Sequence, residues 1–153
     1  VNRPHPPDAA GPSRGTIVIA EDDAATRMLL CRVLARASFT VFAVENGELA
    51  CQAVRLRHPD VVLLDWVMPV MDGVRAAELL KADAETCAIP IVMLTTHAQP
   101  EDRMSALDAG VQDFLTKPFD ARELVACIGR LTSPPEPPAP HRYRDRSTPS
   151  ERS

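Results

Sequence analysis

Hydrophobic positions along the chain alternate between two kinds of stretch. Short unbroken runs, Thr16-Ile17-Val18-Ile19-Ala20, Thr40-Val41-Phe42-Ala43-Val44, Val61-Val62-Leu63-Leu64, Ile91-Val92-Met93-Leu94 and Val111 to Thr116, read as five strands. Aliphatic runs without polar alternation belong to strands covered on both faces, as in parallel sheets flanked by helices. Between them the spacing becomes helical: Leu30, Val33, Leu34 and Ala37 share one face, with Arg27, Arg32 and Arg36 mostly off it. Leu49, Ala50, Ala53 and Val54 face inward on a second helix, Val74, Ala77 and Leu80 on a third, and Leu124, Ile128 and Leu131 on the last. Punctuation agrees with the periods. Asn46-Gly47 turns into the second helix, which ends before His58-Pro59; Asp72 caps the third, which ends near Asp83. Pro100 suits the first turn of a fourth helix that stops at Ala109-Gly110, and Asp120 caps the fifth. Strands alternating with helices imply an α/β fold: a doubly wound, five-stranded parallel sheet with helices on both faces and a site at its carboxyl edge.

The ends differ from the middle. Ten of the fifteen prolines lie outside residues 16–131, so residues 1–15 are expected to be a disordered tail and 132–153 a Pro-rich disordered tail or truncated linker. The 153 residues, 45% apolar and 25% charged, suit one domain with a real core. A net charge of −4, with no basic stripe, gives no electrostatic case for nucleic-acid wrapping by the folded part, which is expected not to bind nucleic acid directly. Cys31, Cys51, Cys87 and Cys127 form no C-x-x-C pair and read as reduced thiols. No apolar run is long enough to span a membrane, and the expected location is cytoplasmic.

Chemistry enters at the strand ends. The third strand stops at Asp65, the first at Glu21-Asp22-Asp23, the fourth at Thr95, and the fifth is followed by Lys117. Singly, each is an ordinary cap, turn or surface residue. Jointly, all arrive at one rim of one sheet. Converging carboxylates repel one another and raise their own pKa values, so a cation belongs among them. Oxygen-only ligands favour Mg²⁺, with Mn²⁺ a substitute, and such an ion would let Asp65 attack a phosphoryl group in line. Lys117 adds a mobile positive donor, and the Thr95 hydroxyl can bond the attached phosphate.

With Glu21-Asp22-Asp23, Asp65-Trp66-Val67-Met68-Pro69, Met71-Asp72-Gly73, Thr95, Ala109-Gly110 and Lys117-Pro118-Phe119 in this order, the stretch from Thr16 to Leu131 resembles the receiver domain of two-component response regulators. The resemblance implies a flavodoxin-like strand order, 2-1-3-4-5, and a phosphorylation-dependent switch rather than an enzyme with an external substrate. It implies that Asp65 accepts a phosphoryl group from a histidine kinase or phosphotransfer protein. Asp22, Asp65 and the backbone carbonyl of Val67 would hold the metal, with Glu21 acting mainly through water. It also implies a cis Lys117-Pro118 bond, and a readout in which Thr95 and Phe114 move together to remodel the surface of the fourth helix, fifth strand and fifth helix for a protein partner. Phe114 lacks the hydroxyl of the tyrosine that many relatives carry. Val67 and His97 stand where water would approach the phosphate; an apolar Val67 is expected to lengthen the life of the phosphoryl group, while His97 could act in either direction.

Other functions leave different marks. A flavin binder of this fold class needs a Ser/Thr/Gly phosphate cradle after the first strand, where this chain has three acids. An aspartyl-nucleophile phosphatase needs a proton-transferring aspartate two residues beyond its nucleophile, and Val67 occupies that place. Within the favoured class, the Pro-rich segment and the stretch from Lys81 to Leu131 leave open the receiver of a larger regulator, for example one with a cyclic-di-GMP-synthesising output.

Overall fold

The computed structural model describes residues 12–96 and 99–132. Along these, β1 (Thr16–Ala20), α1 (Ala24–Arg36), β2 (Thr40–Val44), α2 (Gly47–Arg57), β3 (Val61–Asp65), α3 (Gly73–Ala82), β4 (Ile91–Thr95), α4 (Pro100–Asp108), β5 (Asp113–Thr116) and α5 (Ala121–Thr132) follow in order. The strands form one parallel sheet in the order β2-β1-β3-β4-β5.

Each central strand feeds two cores, because successive side chains leave opposite faces. Val18, Ala20, Val62, Leu64, Ile91 and Met93 pack under α2, α3 and α4. Ile17, Ile19, Val61, Leu63, Val92 and Leu94 meet Leu30 and Leu34 of α1 and Leu124, Cys127 and Ile128 of α5. All five residues of β3 and of β4 are buried. At about 1.5–3 kcal/mol for each large aliphatic side chain buried, these two strands are the rigid floor on which the carboxyl rim stands.

Side-chain caps start the helices nearest that rim. Asp23 accepts from the Thr26 amide at 2.9 Å, Asn46 from the Leu49 amide at 2.9 Å, and Asp72 from the Arg75 amide at 2.8 Å. Gly73 lies so close to β3 that a Cβ there would collide with the Asp65 carbonyl oxygen, and its amide donates to the Trp66 carbonyl at 2.9 Å. Gly110, at φ 95, supplies the left-handed turn after α4.

Two boundaries and one face differ from the sequence expectation. β5 begins at Asp113 rather than Val111, because the Val111 amide donates to Ala106 and closes the end of α4 instead of joining the ladder. On α2, Leu49 is 39% exposed and Cys51 is buried in its stead, against the α3 side. Near the amino edge, Ser13 and Arg14 are tied down: the Arg14 amide donates to the Ser38 carbonyl at 2.8 Å, and its guanidinium lies over the Phe39 ring. The remaining tail residues, 1–11 and 133–153, lie outside the described residues, as does His97. All four cysteines are free thiols.

Candidate phosphoacceptor site

The ends of β1, β3, β4 and β5 meet at the carboxyl rim. Glu21 continues β1 by donating its amide to the Val44 carbonyl at 3.0 Å, and its side chain is only 1% exposed. Such a carboxylate needs full compensation. Lys117 donates to Glu21 Oε2 at 2.7 Å, and the Asp23 amide donates to Oε1 at 3.2 Å. Arg27 fastens the same turn from α1, donating to the Glu21 carbonyl at 2.8 Å.

Asp65 terminates β3 and is 8% exposed, with Lys117 Nζ 3.2 Å from its Oδ1. Burial, then the Glu21 charge, push its carboxyl up to about 6; Lys117 pulls the other way and does not cancel them. Burial works to lower the Lys117 pKa, but its bonds to Glu21 and Asp65 outweigh that and hold it above an ordinary lysine. The Lys117 amide donates to the Thr95 carbonyl at 2.8 Å, which ties its backbone to the end of β4, and the Lys117-Pro118 bond is cis.

Asp22 is the exposed member of the set. Carboxylate oxygens of Glu21, Asp22 and Asp65 all lie within 4.8 Å of one another. Three carboxylates face one ammonium, so the rim keeps an excess of negative charge in a partly buried place. The donors are all oxygens, and the surplus charge matches what a hard divalent cation neutralises; the residues fit Mg²⁺. Both Glu21 oxygens already accept hydrogen bonds, which leaves Asp22 and Asp65 as the carboxylates freer to touch an ion directly.

A cleft of about 290 Å³ opens beside Asp65, lined by Trp66, Val67, Thr95, Thr96, Asp102 and Lys117. Thr95 is buried at the end of β4 and faces this cleft, while the Val67 side chain, 75% exposed, stands at its mouth. Phe114 lies farther along β5, half-buried against the α4 core, with the Arg103 guanidinium 5.6 Å from its ring centre. The rim therefore unites Glu21, Asp22, Asp65, Thr95 and Lys117; Phe114 stands one layer behind. Strand-end reasoning missed Asp102, because it comes from the first turn of a helix, where an acid is ordinarily read as complementing the helix dipole. It also missed Arg27, which the helical pattern treated as a residue off the buried face.

Comparison with known proteins gives a consistent picture. The phosphate regulon transcriptional regulatory protein PhoB of Pseudomonas aeruginosa is 38% identical over 128 residues, which cover 82% of this chain and 56% of that protein. The DNA-binding response regulator MtrA of Mycolicibacterium paratuberculosis is 37% identical over 127 residues, covering 82% of this chain and 55% of MtrA. The chain thus spans about half the length of these curated relatives. Among solved structures, the receiver domain of the sensor histidine kinase PA1611 from Pseudomonas aeruginosa, described with a magnesium ion coordinated in its active-site cleft, superposes with a TM-score of 0.72. It is 30% identical, and the match covers 77% of this chain and 97% of that one. The family description "response regulator receiver domain" matches residues 17–129. With that match over most of its length and a sheet whose acids, threonine and lysine meet at one rim, the chain belongs to the response regulator receiver domain family.

Proposed function

We propose that Asp65 is the phosphoacceptor of this two-component receiver, taking the phosphoryl group from the phosphohistidine of a histidine kinase or phosphotransfer protein. The observation that carries the reading is the position of Asp65 itself: at the end of a wholly buried strand, within 4.8 Å of two further carboxylates, and 3.2 Å from a lysine ammonium. An Asp65 carboxylate oxygen forms the new O–P bond as the P–N bond breaks, and the imidazole leaves with the electron pair. Lys117 shifts from Asp65 to the incoming phosphoryl oxygens; its bond to Glu21, which holds the ammonium at the site, supports this role. Asp22, Asp65 and the backbone carbonyl of Val67 would hold Mg²⁺ or Mn²⁺, which when bound offsets charge between carboxylate and phosphate.

Thr95 reads the modification; its position at the end of β4, buried and lining the cleft, supports this role. Phe114 carries the change to a protein partner on the α4–β5–α5 face, and the contact of Arg103 with its ring links α4 to that movement. Val67, apolar and lining the cleft, hinders water and prolongs the phosphorylated state; Val67→Asn should accelerate phosphate loss, and an unchanged rate would refute this role. The domain acts as a regulatory switch that catalyses only its own phosphoryl transfer and dephosphorylation. A receiver serving a larger regulator is the second reading, favoured by the greater length of PhoB and MtrA; continuation of the reading frame past Ser153 tests it.

Incubation with acetyl phosphate and Mg²⁺, followed by intact mass, tests the main proposal. One added phosphoryl group on the wild type and none on Asp65→Asn supports it. Equal labelling of both proteins rejects it.

A further inference from the structure

Among the cleft-lining residues, Asp102 has no part in the switch described above. It projects from the first turn of α4, is exposed, and borders the same 290 Å³ cleft as Asp65, Thr95 and Lys117. Among the described residues no cation pairs with it. The adjacent Arg103 is engaged over the Phe114 ring, and Lys117 is committed to Glu21 and Asp65. Asp102 therefore presents an uncompensated carboxylate to anything entering the cleft. Charges that line one cleft of about 290 Å³ interact over a span comparable to the Debye length, about 10 Å at 0.1 M salt.

We propose that Asp102 is a specificity-determining residue, an electrostatic filter that slows phosphorylation of Asp65 by small anionic phosphodonors. The inference rests on Asp65 as phosphoacceptor. In the reaction with acetyl phosphate, an Asp65 oxygen forms the bond to phosphorus while the acetyl O–P bond breaks and acetate departs with the electron pair. The donor enters as a dianion, and acetate leaves as an anion, past the Asp102 carboxylate. A protein donor can bring its own cationic side chains to the cleft mouth and meets no such penalty. The filter thus favours a macromolecular donor over small metabolite-like anions.

The experiment compares initial phosphorylation rates, with Mg²⁺, of wild type, Asp102→Asn, Asp102→Glu and Glu101→Gln, using acetyl phosphate (dianionic near neutral pH) and phosphoramidate (monoanionic). Asp102→Asn should react roughly three- to tenfold faster with acetyl phosphate at low salt, and the gain should be smaller with phosphoramidate and shrink as salt rises. Asp102→Glu should restore the slow rate. Glu101 occupies the same helical turn but does not line the cleft, so Glu101→Gln controls for the helix dipole and should leave the rates unchanged. The proposal is overturned by a gain independent of donor charge and salt, by an equal gain in Glu101→Gln, or by no gain in an Asp102→Asn protein whose thermal unfolding matches wild type. If neither the wild type nor Asp102→Asn accepts phosphoryl from either donor, Asp65 as phosphoacceptor fails instead, and the filter with it.

Discussion

Helices α3 and α4 both follow strands that end in the site, yet they are held in opposite ways. α3 buries Gly73, Ala76, Ala77 and Leu80, begins on the Asp72 cap, and presses Gly73 against the backbone of Asp65. α4 buries Ala106 alone, begins at Gln99 without a side-chain cap, and leaves Met104 and Leu107 more than half exposed. Few buried contacts and a missing cap mark an element with a low cost of rearrangement. The proposed phosphoacceptor, Asp65, is thus anchored to the firm helix, while the residues proposed to report its state, Thr95 and Phe114, border the loose one. A switch needs this asymmetry: an acceptor that keeps its geometry, and a neighbour that can change.

The largest expected effect breaks the firm side. Gly73→Ala places a methyl group against the Asp65 carbonyl and Met93 Sδ and should destabilise the domain by about 3 kcal/mol in urea unfolding. The next tests the junction between the two sides. In the folded, metal-free protein the Asp65 pKa stands near 6, above the ordinary 3.8, so the folded state binds more protons than the unfolded state between these values. This group therefore favours folding most below pH 4, and its contribution declines as pH rises through 6. Asp65→Asn should remove that decline and stabilise the metal-free domain at pH 7–8 by on the order of 1–2 kcal/mol, allowing for the site's solvent access. A lower stability of the variant at pH 8 would mean that Lys117 more than balances the acids.

Mg²⁺ should act in the same direction. At tenfold above its dissociation constant it adds about 1.4 kcal/mol to wild-type stability, visible as a raised unfolding midpoint, with much less gain in Asp65→Asn. The smallest effect sharpens the loose side. Gln99→Ser supplies the cap that α4 lacks and should stabilise that helix by about 1 kcal/mol or less, read as slower amide exchange across residues 100–108 with α3 unchanged.

The firm half was also the more legible half. β3 and β4 are unbroken aliphatic runs because both faces are buried, and their polar terminators lie at the rim because parallel strands deliver their ends to one edge. Glu21, Asp22, Asp65, Thr95 and Lys117 are gathered on that logic from the sequence alone. Residues whose place depends on packing between helices were not. Leu49 and Cys51 compete for the inward face of α2, and the neighbouring α3 backbone, near enough for Cys51 Sγ to lie 3.8 Å from the Ala76 carbonyl, admits the smaller side chain. Val111 has the composition of a strand but spends its amide on the end of α4. Asp102 reaches the cleft only because α4 lies beside it, a relation with no local signature.

The most direct measurement is site mapping of the acyl phosphate. After reaction with acetyl phosphate and Mg²⁺, borohydride reduction converts a phosphorylated aspartate to homoserine, which fragmentation mass spectrometry locates in the sequence. The account predicts homoserine at position 65 and at no other aspartate. Reduction product at Asp22, Asp23 or Asp72, or none at position 65 in a protein that has gained phosphoryl, would contradict it.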